Sequence, residues 1–140
     1  MPDIVKVKTG NPFEERGSYS RLVAVDNLIF VSNTAGRNPQ TKLIPEDLTE
    51  QTLQVLANIE TALTAVGATL ADTVAARVFV QFPQDIETVM AAYARKMRGI
   101  NPTLTMTCPP LGSAQYKVEI EIIAYRGASK SNVKEINLAS

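Results

Sequence analysis

The chain contains no histidine, no tryptophan and a single cysteine, Cys108. Without histidine there is no Ser-His-Asp or Cys-His catalysis, and the commonest transition-metal ligand is missing. Without a second cysteine no intrachain disulfide can form, and a zinc site lacks its usual thiolate pairs. No Walker-type or dinucleotide-binding glycine pattern occurs. No apolar run is long enough for a signal peptide or a membrane span, so a reducing cytoplasm is the expected location and no membrane partner is expected. Nor does either charge dominate: Lys+Arg and Asp+Glu both number 14, for a formal net charge of zero. A nucleic-acid binder carries a basic excess or stripe, and neither is present. Proton transfer is left to Glu, Asp, Tyr, Lys, Ser, Cys108 or bound water.

What remains is an ordinary globular composition. At 140 residues, with 45% hydrophobic and 20% charged, the chain has the size and core of one domain. Residues 3–8 alternate as a short strand and 11–17 read as a loop. Strands follow at about 20–26 and 28–33, joined by a tight Asp26-Asn27 hairpin. A loop of about a dozen residues, GRNPQTKLIPED, precedes a change of period. Leu48, Leu53, Leu56, Ile59, Leu63 and Val66 then mark an amphipathic helix ending at Gly67, with Gln51, Asn58 and Glu60 on its other sides. A strand at 73–82, a helix at 84–98 and strands at 103–108 and 115–125 complete the domain. The order β-ββ-α-β-α-β-β implies an α+β sandwich with both helices on one face of a mixed sheet. Residues 1–126 form the domain, and the polar stretch 127–140 reads as a mobile or loosely docked tail.

The run VEIEIIAY, Val118 to Tyr125, alternates two carboxylates with apolar residues. In a strand, Val118, Ile120 and Ile122 share the core face, while Glu119, Glu121 and Ile123 share the other. That second face also has Val31, Phe79, Leu104 and Met106 available to it. An uncovered, partly apolar sheet face is expected to be buried against other copies of the chain.

The segments RGSYSRLVAVDNLIFVSNTAGRNPQT, EQTLQVLANIETALTAVGATLADTVAARVFV and VEIEIIAYR resemble the RidA/YjgF family of reactive-intermediate deaminases, over about residues 8–126. The resemblance implies a chorismate-mutase-like α+β fold, a homotrimeric barrel with ligand clefts between subunits, and hydrolysis of enamines and imines to 2-oxo acids and ammonia without metal or organic cofactor. It matches the cleft tyrosine to Tyr19, the serine after the apolar strand to Ser32, and the carboxylate beside the hydrolytic water to Glu119. A carboxyl group with a raised pKa can hold and pass a proton near neutrality. Glu121 reads as a structural charge. Tyr19 either closes the cleft or packs its ring at the subunit interface, and Ser32 either binds ligand or satisfies backbone.

Three positions depart from the family pattern. The arginine of its P-A-R-[ST] stretch, which clamps a substrate carboxylate, is Leu104. The polar residue two places on is Met106, and an asparagine of the second helix is Met90. Cys108 lies on the same strand face as Leu104 and Met106, with no histidine or lysine near it in sequence to activate it. Arg16, Arg21, Arg37 and Arg77 are candidates to replace the clamp, Arg77 first because it sits in a strand; the plainer reading of each is a surface arginine. Two functions follow. One is a deaminase of an enamine or imine metabolite, its substrate range altered by Leu104. The other is a non-catalytic trimer that binds a small metabolite, or regulates a partner, through the same cleft.

Overall fold

The computed structural model describes residues 1–139. Its sheet contains strands β1 (Ile4–Val7), β2 (Leu22–Val25), β3 (Leu28–Ala35), β4 (Thr73–Val80), β5 (Thr103–Thr107) and β6 (Val118–Tyr125). They lie in the spatial order β1-β2-β3-β6-β4-β5. All pairs are antiparallel except β4–β5, so the sheet is mixed. Helices α2 (Leu48–Thr64) and α3 (Ile86–Lys96) cover one face. The α+β architecture matches the expectation.

The core follows from two periods meeting. Val55, Leu56, Ile59 and Leu63 of α2 are 0% exposed, as are Ile29, Val78, Val80, Val118 and Ile120 from the sheet. Each such burial stabilises the fold by about 1.5–3 kcal/mol. Asp47 begins α2 by accepting the Glu50 amide at 2.9 Å. Gln51, expected away from the core, lies inside it at 1% exposure. Its amide nitrogen donates to the carbonyls of Pro45 (2.9 Å) and Gln115 (3.1 Å), and its oxygen accepts the Lys117 amide (2.7 Å). Those bonds tie the backbone of Gln115 and Lys117 to the first turn of α2, and regular pairing of β6 begins at Val118.

Residues 11–17 are not a loop. Pro12–Gly17 form a short helix, α1, capped by Asn11, whose side chain accepts the Phe13 amide at 2.9 Å. Proline at its start and the left-handed Ser18 (φ 55°) at its end set the limits. Glu14 turns inward, to 1% exposure, onto the Thr9 amide (2.9 Å) and hydroxyl (2.6 Å). The start of the C-terminal stretch is also held. A 3-10 turn at Ala128–Lys130 brings the Ser129 amide to 2.8 Å from the buried carboxylate of Asp72. Residues 132–139 are exposed and carry no regular secondary structure, and Ser140 lies outside the described residues.

Strand register assigns the faces. Ala76, Val78, Leu104 and Met106 are paired across β4 and β5 on the helix-covered side, and Val31 opposite Ile122 is in the core. The expectation that Val31, Leu104 and Met106 share the face of Glu119 is therefore wrong, while Phe79, paired with Glu119, does lie there. Alternation within TLTMT cannot tell its two sides apart; the parallel pairing to β4 decides. The uncovered face instead exposes Phe30 (43%), Leu28 (39%) and Tyr125 (49%).

Gly36, directly after β3, marks a close approach. A Cβ there would fall 2.6 Å from the Gln51 carbonyl oxygen and 2.8 Å from its Cγ. Because the nearer atom is helix backbone, Gly36→Ala is expected to lose about 1–3 kcal/mol in urea denaturation. Unchanged stability would mean that α2 sits free of the end of β3.

Candidate active site on the uncovered sheet face

Register places Glu119 between Ala35 of β3 and Phe79 of β4. Its pairing with β3 is irregular. Val31 opposes Ile122, and Thr34 opposes Ile120, so Ser32 and Asn33 together face one residue, Glu121. Such a bulge re-aims side chains that would otherwise alternate. Asn33 thereby reaches Glu119, donating from Nδ2 to Oε1 at 2.7 Å, while the preceding Ser32 lines an open cavity of about 600 Å³ together with Tyr19, Lys6 and Lys8.

Arg21, the residue before β2, holds this region together. Its Nη1 donates to the Asn33 carbonyl (2.9 Å) and to the Thr34 hydroxyl (3.1 Å), and Thr34 in turn donates to the Ser32 carbonyl (2.7 Å). The Ser32 amide donates to the Arg21 carbonyl at 2.9 Å. Backbone groups that the bulge removes from the ladder are thus paired again. The guanidinium also lies 3.6 Å from Glu14 and 5.6 Å from the centre of the Tyr19 ring. With its side chain 13% exposed, Arg21 is a built-in support and not the surface arginine of the plainer sequence reading. Tyr19 is 36% exposed beside it. Gly17 makes room for that ring, since a Cβ would lie 2.9 Å from it. The Ser32 hydroxyl donates to the Ser20 carbonyl at 2.8 Å, which leaves its lone pairs free to accept.

The two carboxylates near Arg21 move in opposite directions. For Glu119, loss of solvent raises the pKa, and the Arg21 charge offsets only part of this. For Glu14, burial also pushes upward, but the two Thr9 hydrogen bonds and Arg21 outweigh it and hold the carboxyl below its usual range.

The remaining candidates divide between the two sides of the sheet. Arg77 shares the face of Glu119, one pairing away, with Nη1 3.6 Å from Glu121; with side chains 67% and 37% exposed, that pair contributes little. Arg16 stacks on Phe13 at 4.4 Å, and Arg37 is exposed in the loop after β3. Leu104 and Met90, 40% and 36% exposed, line a second cavity of about 290 Å³ at the β5 edge, beneath α3, with Met97, Arg98 and Tyr93. Met106 and Cys108 pack against the core on that side. Tyr19, Ser32, Glu119 and Arg77 therefore do not meet Leu104, Met106, Met90 and Cys108 within one chain. Asn33, Lys6 and Lys8 were not singled out from the sequence as partners of the site, and Arg21 only as a candidate clamp; the tertiary pairing of β1, β2, β3 and β6 assembles them. Among the described residues no cluster of His, Cys, Asp or Glu could hold a metal ion, and no helix is long and apolar enough to cross a membrane.

Architecture and site define an α+β sheet protein whose candidate chemistry sits on the open face of the sheet, around one partly desolvated carboxyl group. The chain belongs to the RidA/YjgF family: the family model described as Endoribonuclease L-PSP matches residues 9–126. The 2-iminobutanoate/2-iminopropanoate deaminase of Escherichia coli K12 is 32% identical over 123 residues, which cover 86% of this chain and 96% of that protein. The chloroplastic Reactive Intermediate Deaminase A of Arabidopsis thaliana is 34% identical over 112 residues, 77% of this chain but 58% of that longer protein. Among solved structures, Rv2704 of Mycobacterium tuberculosis, a member of the YjgF/YER057c/UK114 family, superposes with a TM-score of 0.79 at 33% identity, covering 88% of this chain and 99% of its own.

The opposed shifts give stability predictions of opposite sign. Neutral Glu119 is favoured by folding, so its contribution is complete at low pH and lost as pH rises through the raised pKa. Glu119→Gln should therefore gain stability relative to the native chain as pH increases through that interval. Glu14 contributes above the ordinary glutamate range and loses its contribution as pH falls through its lowered pKa. The penalty of Glu14→Gln should accordingly shrink on acidification. Thermal melts across pH check both, and parallel curves for native chain and variant would contradict the assignment for that residue.

Proposed function

We propose that the chain is a hydrolytic deaminase of an enamine or imine metabolite, working as a homotrimer with ligand held in clefts between subunits. The observation that carries this reading is the setting of Glu119, a carboxyl group partly removed from water on a face of mixed polarity and held by Asn33. The E. coli relative named as an imine deaminase supports the same class of reaction. Exposed Phe30, Leu28 and Tyr125 on the open face support burial against further copies. Residues 1–126 are taken as the working domain and 127–140 as a tail. A cytoplasmic location, with neither membrane nor nucleic acid as partner, goes with this reading.

In the proposed reaction Glu119 accepts a proton from a water molecule as the oxygen attacks the imine carbon. The C=N π electrons move to nitrogen, to which Glu119 passes that proton, giving a carbinolamine. Glu119 then takes the carbinolamine hydroxyl proton and delivers it to the amino nitrogen as the C=O bond forms and the C–N bond breaks, releasing ammonia. Desolvation, by raising the proton affinity of Glu119, brings it closer to working pH. Ser32 and Tyr19 bound the reacting group, and no cofactor or metal is used.

Leu104 shifts the substrate range. A charge-assisted hydrogen bond is worth about 1.5–3 kcal/mol, and an arginine fork supplies two. A small 2-imino carboxylate facing Leu104, with Met90 and Met106 nearby, loses those bonds and is desolvated without a partner. The substrate thus lacks a carboxylate at that position. The second reading, a trimer that binds a metabolite or regulates a partner without turnover, draws on the same exposed Leu104 and Met90.

Imines generated in place by an amino-acid oxidase, 2-iminopropanoate and 2-iminobutanoate, provide the test. The native chain should act on them near background, Leu104→Arg should raise kcat/KM roughly tenfold or more, and adding Glu119→Gln should abolish that gain. Rapid decay with the native chain would refute the altered range. A rate indifferent to Glu119→Gln would refute the role of that carboxylate, and inert proteins that still bind ligand would favour the second reading.

A further inference from the structure

The cavity between β1 and the Ser18–Ser20 turn carries two ammonium groups and no acidic side chain. Lys6 pairs with Val23, which pairs with Phe30, which pairs with Ile123, so Lys6 lies on the same sheet face as Glu119. Lys8, two residues on, donates to the Tyr19 carbonyl at 3.0 Å and keeps two donors free. Among the described residues neither lysine has a carboxylate within salt-bridge distance. The neighbouring cation, Arg21, is already neutralised by Glu14 and bound to backbone. Both lysines are exposed and both line the cavity, so the charge it presents to a ligand is positive. Ser32 also lines the cavity, with its hydroxyl proton committed, and its successor Asn33 holds Glu119.

We propose that Lys6 and Lys8 form an anion-binding subsite that holds a carboxylate or phosphate at the far end of the substrate. The inference rests on the deaminase reading and specifies its substrate class: an imine or enamine whose anionic group is remote from the C=N bond. Lys6 on β1 and Glu119 on β6 are three strand spacings apart at the backbone, about 14 Å. The substrate therefore spans several bonds between anion and reacting carbon. A small 2-imino acid, with its carboxylate next to the C=N, cannot satisfy both ends. Leucine at position 104 and the lysine pair on the other side then belong to one mode of recognition, with the anion held away from Leu104.

Binding tested without turnover separates this inference from the reaction. Inorganic phosphate and glutarate are titrated into the isotope-labelled full chain, following amide signals of Ser20, Val23 and Ser32 by NMR. Saturable shifts at those residues, weakened roughly tenfold or more by Lys6→Met/Lys8→Met and by rising salt, are expected for at least one probe. The tighter of the two identifies the anion. Lys6→Met alone leaves the Lys8–Tyr19 contact in place and should still weaken binding severalfold, while Lys6→Arg should retain it. Binding unchanged in Lys6→Met and in the double variant overturns the subsite, as does absence of saturable shifts with both probes. Lysine-dependent binding in a chain that turns over no imine would leave the subsite standing and remove the deaminase reading. Glu119-dependent turnover indifferent to both lysines would do the reverse.

Discussion

One guanidinium, that of Arg21, makes the arrangement around Glu119 possible. It bonds the Asn33 carbonyl and the Thr34 hydroxyl, stands against the buried Glu14 and lies beside the Tyr19 ring. A bulge leaves backbone groups without ladder partners, and a buried carboxylate needs a counter-charge; the same side chain supplies both. Arginine suits the position because its donors lie in a fixed planar fork, whereas an ammonium presents a point charge on a flexible stem. α1, the bulge in β3 and the tyrosine are thereby positioned by one residue.

The strongest elements could be read from periodicity because their signals are local. The alternation in VEIEIIAY gave both faces of β6 correctly, and the leucine stripe gave α2. Asp26, at φ 52°, takes the hairpin conformation expected of it. What failed depended on pairing between distant segments. Six residues are too few to show a helical period, so α1 passed as a loop despite its Asn11-Pro12 start. Gln51 looked like a solvent-facing residue until the chain before β6 was laid over it. Leu104 and Met106 were assigned to the wrong side of the sheet because a strand of alternating threonine and apolar residues does not reveal which side is covered. Most of all, the bulge at Ser32–Asn33 has no signature in FVSN itself; it exists only in the register of β3 against β6.

The candidate residues therefore fall into two sets separated by the sheet. Tyr19, Ser32 and Glu119 look out from the open face, and Leu104 and Met90 look out beneath α3 at the β5 edge. A chain with half of its candidates at either place has little use for them singly. Under the proposed trimer, the wall around Leu104 in one copy and the carboxylate of the next share a ligand, and assembly and recognition become the same event. Substitutions at one wall can then be offset at the other, as with Leu104 and the lysine pair under the proposed subsite.

The strand carrying Glu119 is also the last strand of the sheet along the chain, and it occupies the interior, between β3 and β4. Until it is in place, the β1-β2-β3 meander and the β4-α3-β5 unit share no strand pairing. Each then presents an unpaired edge destined for the middle of a sheet, the kind of edge on which wrong pairings form. The hydrogen bond between Asn33 and Glu119 joins residues 86 apart in sequence. Closing that distance is slow by the ordinary dependence of folding rate on contact separation. Continuity of the sheet therefore waits on β6, and the residue proposed to handle the proton is carried by the strand that joins its two halves.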